Sequence, residues 1–192
     1  MSFEVTLPDG FVVRRLMFDD DFQEYQRLVE SVPDGGTIME IGVYLGGSLA
    51  CLAPIIKRKG LSVIAVDVFD AADYDEPNVM EDKKDMQNRF LGAMVAAGIA
   101  PAVTTLNRTH EDIFDSVLKM GMVEKFDLVF VDGDHSYQWA KKDIDIALNI
   151  IRQGGVIAGH DYDDIHPGVV QAVREAFGNK VFVKDRVWSV RP

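Results

Sequence analysis

Thr37-Ile-Met-Glu-Ile-Gly-Val-Tyr-Leu-Gly-Gly-Ser48 begins as a short apolar strand, turns through paired glycines and opens a helix. Thr37 to Ile41 is nearly continuous in apolar residues, as a strand buried on both faces requires. Gly42 and Gly46 punctuate the turn, and a helix is predicted from the capping residue Ser48 to Lys59, stopping at Gly60. The same alternation continues outward. Ser62 to Val66, Val103 to Leu106, Phe126 to Val131 and Gly155 to Ala158 are further short apolar runs, with helices predicted over Lys83 to Ala97, Tyr137 to Ile151 and Gly168 to Phe177. Such alternation is the mark of parallel strands joined by crossover helices. Val181 to Lys184 and Val187 to Val190, separated by Asp185 and Arg186, form a hairpin and so must be antiparallel. Before the first core strand lies one predicted helix, Asp20 to Glu30, closed by the turn sequence Pro33 to Gly36. The prediction is a single α/β domain, with residues 1–36 as a helical extension and 37–192 as the core.

Composition narrows the function. The 192 residues are 47% hydrophobic and carry a net charge of −11. No segment gathers its Lys and Arg residues into a stripe that could neutralise phosphates, so nucleic acid is not expected as a partner. No apolar run approaches the ~20 residues of a membrane helix. The N-terminal sequence lacks the basic-then-apolar order of a signal peptide, and the single Cys51 cannot form an internal disulfide. A cytoplasmic setting is expected.

The chemistry lies where the strands end. Glycine permits positive φ and close backbone approach, so the turn from Gly42 to Gly46 can press a ligand against a helix N-terminus. Its spacing is Gly-x-x-x-Gly, not the Gly-x-Gly-x-x-Gly of dinucleotide sites, which argues against a nicotinamide-dependent oxidoreductase. Asp67 ends the second strand 25 residues beyond Gly42, near the separation at which a carboxylate meets ribose hydroxyls. Asp132-Gly133-Asp134-His135 follows the fourth strand, and His160-Asp161 follows the fifth. Strand ends of this kind converge on ligands in open α/β sheets. Carboxylates and imidazoles gathered in one cleft offer a general base or a divalent-cation site.

Glu40 to Ser48 resembles motif I of the class I S-adenosylmethionine methyltransferases, and closely that of the catechol O-methyltransferase group. The order of the later motifs, Asp67, Thr109-His110, Phe126 to His135 and Gly159 to Tyr162, is similar to the macrocin-type sugar and antibiotic O-methyltransferases. The resemblance runs from about Thr37 to the C-terminus. It implies a Rossmann-like, doubly wound, mostly parallel seven-stranded sheet with a C-terminal antiparallel hairpin. It also implies S-adenosylmethionine as cofactor, with Gly42, Tyr44, Gly46 and Ser48 around the methionine portion. Asp67 would take the ribose and Thr109 with His110 the adenine, with Asp132 at the edge of the cofactor and Glu40 beneath the turn to orient it. In the related metal-dependent enzymes, positions matching Asp132, His160 and Asp161 hold magnesium through oxygen ligands. His160 departs from that pattern, which disfavours Mg²⁺ and leaves Mn²⁺, Zn²⁺ or no metal.

The expected reaction is methylation of a small-molecule hydroxyl, with Asp134, His135 and His160 as catalytic candidates. Asp134 could instead cap the helix starting near Ser136, and His135 could lie on the surface. His160, beside Asp161 at a buried strand end, suits proton abstraction. His166 belongs to the loop before Pro167, Trp139 and Trp188 to the core or rim, and Arg108 to the loop mouth. The acidic stretch Asp70 to Asp85 reads as a long loop that shapes the acceptor pocket, and a homodimer could complete that pocket. A non-catalytic S-adenosylmethionine-binding module is the alternative that only an assay separates.

Overall fold

A computed structural model describes residues 4–69, 85–107 and 110–192. The core strands are β3 (Thr37–Ile41), β4 (Ser62–Asp67), β5 (Val103–Asn107), β6 (Phe126–Val131) and β7 (Ile151–Gly159). They stand in one sheet with β8 (Phe182–Lys184) and β9 (Val187–Val190), in the spatial order β5-β4-β3-β6-β7-β9-β8. Pairing from β5 through β7 is parallel, and β9 runs antiparallel to both β7 and β8. The predicted sheet and hairpin are therefore present. Strand order reverses between β3 and β6, and the crevice outside their carboxyl ends is where such sheets take ligands.

Alternate residues of each strand serve opposite faces. Ile38, Val63, Leu128 and Phe130 pack with α1 (Asp19–Ser31), α2 (Gly47–Lys59) and α3 (Met86–Ala96). Met39, Ile64, Val129 and Val131 pack with α4 (His110–Lys119), α5 (Tyr137–Ile150) and α6 (Pro167–Phe177). Both faces are covered, which is why the strands read as continuous apolar runs rather than as alternating ones.

Several boundaries differ from the prediction. The predicted N-terminal extension is not simply helical: β1 (Glu4–Thr6) and β2 (Val12–Arg14) form an antiparallel hairpin, and buried Val5, Leu7 and Val13 join the core of the first face. Helix α4 was not predicted, although Ile113 and Val117 stand four residues apart and are both 1% exposed. Strand β7 begins at Ile151, where the prediction still had helix, because the register shifts between Phe126 and Leu128 to admit the polar segment around Gly154. The predicted helix from Lys83 starts at Met86, and the predicted loop lies outside the described residues apart from Asp85. Among the described residues no helix is long and apolar enough to cross a membrane.

Candidate active site

The glycine turn is held from below. Glu40, 1% exposed on β3, accepts hydrogen bonds from Ser48 Oγ at 2.5 Å and from Tyr25 Oη at 2.8 Å. Tyr25 stacks on Phe130 with ring centroids 3.7 Å apart. Burial raises the Glu40 carboxyl to about 8 against the pull of those two hydrogen bonds, and the nearby charges of Asp132 and Asp67 raise it further. Ser48 therefore does not cap α2 as predicted. Gly46 is the N-cap, at φ +80°, and the Ser48 hydroxyl ties the helix start to β3.

The two glycines are required by the protein itself. A Cβ on Gly42 would lie 2.1 Å from the Asp132 carbonyl oxygen, and one on Gly46 would lie 2.6 Å from Met94 Cε and 2.8 Å from Phe90 Cδ2. The turn is thus pressed between the β6 end and α3. Tyr44, at φ 48°, donates its N–H to Asp67 Oδ2 at 2.7 Å, and the Phe69 N–H reaches Asp67 Oδ1 at 2.8 Å. Asp67, 5% exposed, fastens the turn to the end of β4. Each carboxylate oxygen can accept two hydrogen bonds, so this fastening is compatible with a diol partner. Of the two residues expected at adenine, Thr109 lies outside the described residues, and His110 marks the start of α4.

The strand ends β6 and β7 bring Asp132, His135, His160 and Asp161 together, as predicted, and add residues that were not. His160, 7% exposed, points Nε2 at Asp21 Oδ2 (3.1 Å) and Nδ1 at Asp161 Oδ2 (3.2 Å) and Asp132 Oδ1 (3.5 Å). Burial alone would strip its proton, but the carboxylates of Asp132 and Asp161 push its pKa up to about 10. His160 is a cross-link between α1, β6 and β7, and one ligand atom each from Asp132, His160 and Asp161, the set expected for a metal, lies within 4.8 Å of the other two. Asp21 is further held by the Arg186 side chain, with Nη2 at 2.6 Å, and by the Arg186 N–H at 3.0 Å.

Asp134 Oδ1 accepts the Ser136 N–H at 2.7 Å at the start of α5. His135 is different. Its side chain is 40% exposed, and Nε2 lies 2.9 Å from Asp161 Oδ2, an interaction that raises the imidazole pKa. Burial would raise the Asp161 carboxyl, but His135 and His160 together hold it far below the usual carboxylate range. His166, given to a loop by the sequence, N-caps α6 with its ring 4.3 Å from that of His135. Asp21 and Arg186 lie 165 positions apart, and no local pattern announced their meeting. Trp188 is core, 1% exposed, and closes the inner wall of this cleft with Val131, Ala140 and Val169. A separate groove lined by Arg14 to Asp20 contains none of the converging groups.

A family model described as a methyltransferase domain matches residues 39–162, which span the glycine turn and both strand-end clusters. An uncharacterized protein, R132 of Acanthamoeba polyphaga mimivirus, is 26% identical over 170 residues, covering 85% of this chain and 71% of its own. Among solved structures, the calicheamicin methyltransferase CalS11 superposes with a TM-score of 0.65 at 16% identity, covering 88% of this chain and 76% of its own. The O-methyltransferase from Bacillus cereus in complex with SAH gives 0.65 at 19% identity, covering 92% and 82%. These two share the fold. With the family model covering well over half of the sequence, the chain belongs to the methyltransferase domain family and is an S-adenosylmethionine-dependent enzyme of the Rossmann-like class.

Proposed function

We propose that the protein transfers the methyl group of S-adenosylmethionine to a hydroxyl oxygen of a small molecule. The observation that carries this reading is the placement of two dissimilar sites at one topological switch point. A fastened glycine turn lies at the end of β3, and a carboxylate–imidazole cluster lies at the neighbouring ends of β6 and β7. The names of structural relatives agree with the acceptor class: CalS11 is a TDP-rhamnose 3'-O-methyltransferase.

In this reading Gly42, Tyr44, Gly46 and Ser48 bound the methionine portion, and Asp67 receives the ribose diol. The adenine lies toward Thr109 and His110, and Asp132 borders the cofactor beside the cluster. The acceptor oxygen attacks the sulfonium methyl in line, the carbon–sulfur bond breaks with its electron pair going to sulfur, and the hydroxyl proton passes to the cluster. Alignment supplies most of the acceleration. Among the three catalytic candidates His135 meets the acceptor, because it is exposed to the cleft and oriented by Asp161. Asp134 and His160 are positioning residues.

Calorimetry with S-adenosylmethionine and its demethylated product, followed by product detection over a panel of small hydroxyl compounds, tests the reading. Tight cofactor binding and turnover on a hydroxyl acceptor are expected. Binding without turnover on any acceptor class would favour the non-catalytic module, and transfer confined to nitrogen or carbon acceptors would refute the O-methylation.

A further inference from the structure

The segment from Arg14 to Asp21 touches both the glycine turn and the carboxylate–imidazole cluster. At one end the Arg14 carbonyl closes on the start of α2, so that a Cβ on Gly47 would lie 2.2 Å from its oxygen. At the other end Asp21 holds the Arg186 guanidinium, and the Phe18 ring centroid lies 4.4 Å from Arg186 Cζ. Arg186 Nη1 in turn stands 4.0 Å from Asp161 Oδ1, at the edge of the cluster. The groove lined by Arg14 to Asp20 follows this segment, and its volume of about 570 Å³ falls within the ~300–1,000 Å³ of small-molecule pockets.

Its walls are apolar where solvent reaches them. Leu16 is 67% exposed and Phe18 68%, in a protein that buries most side chains of this kind. Ile165, 79% exposed, belongs to the turn whose Asp163 Oδ2 lies 3.8 Å from Arg186 Nη1. Exposed apolar residues are ordinary singly, but large ones gathered beside one groove mark a surface that something covers. The backbone that presents them is stapled, because Arg15 Nη1 donates to the carbonyls of Met17 at 2.6 Å and Phe18 at 2.7 Å. Charge decides what the surface can take. Arg14 faces Glu4 at 2.7 Å, Arg15 faces Asp19, and Arg186 faces Asp21 at 2.6 Å. Asp20 adds a further carboxylate to the lining. Every arginine bordering the groove thus has a carboxylate already, and a phosphate or carboxylate on a ligand would meet repulsion there with no spare cation to offset it.

We propose that this groove holds an uncharged, apolar ring of the methyl acceptor between Leu16 and Phe18 and selects against anionic acceptors. Its use as an acceptor subsite rests on the methyl-transfer reading, whereas the binding preference does not. The preference is opposite to the TDP-bearing sugar in the name of CalS11.

The test reads binding to the full chain without cofactor, so its outcome is separate from that of the methyl-transfer assay. 2-Naphthol and 6-hydroxynaphthalene-2-sulfonate, which are fluorescent and differ by one charged group, are titrated against the protein, with thymidine diphosphate as a competitor. 2-Naphthol is expected to bind at least ~10-fold more tightly than the sulfonate, and thymidine diphosphate is expected not to displace it. Leu16→Ser and Phe18→Ala each strip apolar surface from the walls and should weaken 2-naphthol by about 10-fold. Asp20→Lys should tighten the sulfonate and narrow the gap while leaving 2-naphthol unchanged. Because Phe18 also stacks on Arg186, Leu16→Ser decides the matter should the Phe18 variant melt early. Failure of 2-naphthol to bind, equal affinity for the two naphthols, or unchanged affinity in folded Leu16→Ser would overturn the proposal. A ring preference that holds while no acceptor is methylated would leave the groove standing and fail the methyl-transfer reading alone.

Discussion

Replacing Glu40 by glutamine should make the protein less sensitive to alkali while leaving its stability near pH 6 almost unchanged. Glu40 is fully buried and its pKa is raised from 4.5 to about 8, so the folded state prefers the neutral acid. A raised folded-state value means that the stabilisation is complete below the unfolded pKa and is lost as the pH climbs through the folded one. At ~1.4 kcal/mol per unit, the shift amounts to roughly 5 kcal/mol in full. Between about pH 6 and about pH 9 the wild type should forfeit roughly 2–3 kcal/mol of this, and glutamine, which cannot ionise, should forfeit none. For a domain of this length that difference is about 5–10 °C in melting temperature. Thermal melts of the two proteins across this range decide the matter. His160 also titrates above neutrality, but it does so in both proteins and cancels in the comparison. Parallel curves for the two proteins would refute the claim that burial holds Glu40 neutral.

Asp67→Ala should weaken S-adenosylmethionine binding by ~1.5–3 kcal/mol, the range for a hydrogen bond to a charged group, and unchanged affinity by calorimetry would remove it from the ribose. Gly46→Ala should lower thermal stability by ~1–3 kcal/mol with or without cofactor, because the new methyl meets Met94 and Phe90 at positive φ; loss of binding with an unaltered melt would place the conflict in the cofactor pocket instead. Asp21→Ala leaves Arg186 and His160 without their shared partner and should cost about 3–5 kcal/mol by denaturant unfolding, the scale for a broken buried pair. A cost below about 1 kcal/mol would show the clamp to be ornamental. Asp134→Asn keeps an acceptor for the Ser136 N–H and should retain turnover; a large fall in kcat with an unchanged melt would return the carboxylate to the chemistry.

The parallel strands were legible because burial on both faces leaves a chemical trace, the uninterrupted runs at Thr37–Ile41 and Phe126–Val131. The hairpin of β1 and β2 left none, since a three-residue strand is too short to show a period. Helix α4 left only a faint trace, the four-residue spacing of Ile113 and Val117. At the site, glycine spacing and the placement of Asp67, Asp132 and His160 pointed to the strand ends where these groups gather. What those side chains do there was not local information. Ser48 looks like a cap in sequence, yet its hydroxyl serves a carboxylate eight residues back. His160 looks like a free base until Asp21 arrives from 139 residues away. His166 reads as a loop residue beside Pro167 until α6 packs against the β6–α5 turn.

The clamp between Asp21 and Arg186 also bears on how the molecule is made. During synthesis the strands from β3 to β7 and their crossover helices can pair as they emerge, each with a neighbour already present. His160 cannot acquire its full set of partners in that order. Arg186, which helps to hold Asp21 in place, follows it by 165 residues, so α1 must wait until that segment has emerged for this contact. Closing so long a loop is slow, because its entropy is lost before any contact repays it. Nascent chains halted before β9 should therefore expose a protease-sensitive α1, and the cleft should become competent only as the C-terminal hairpin docks.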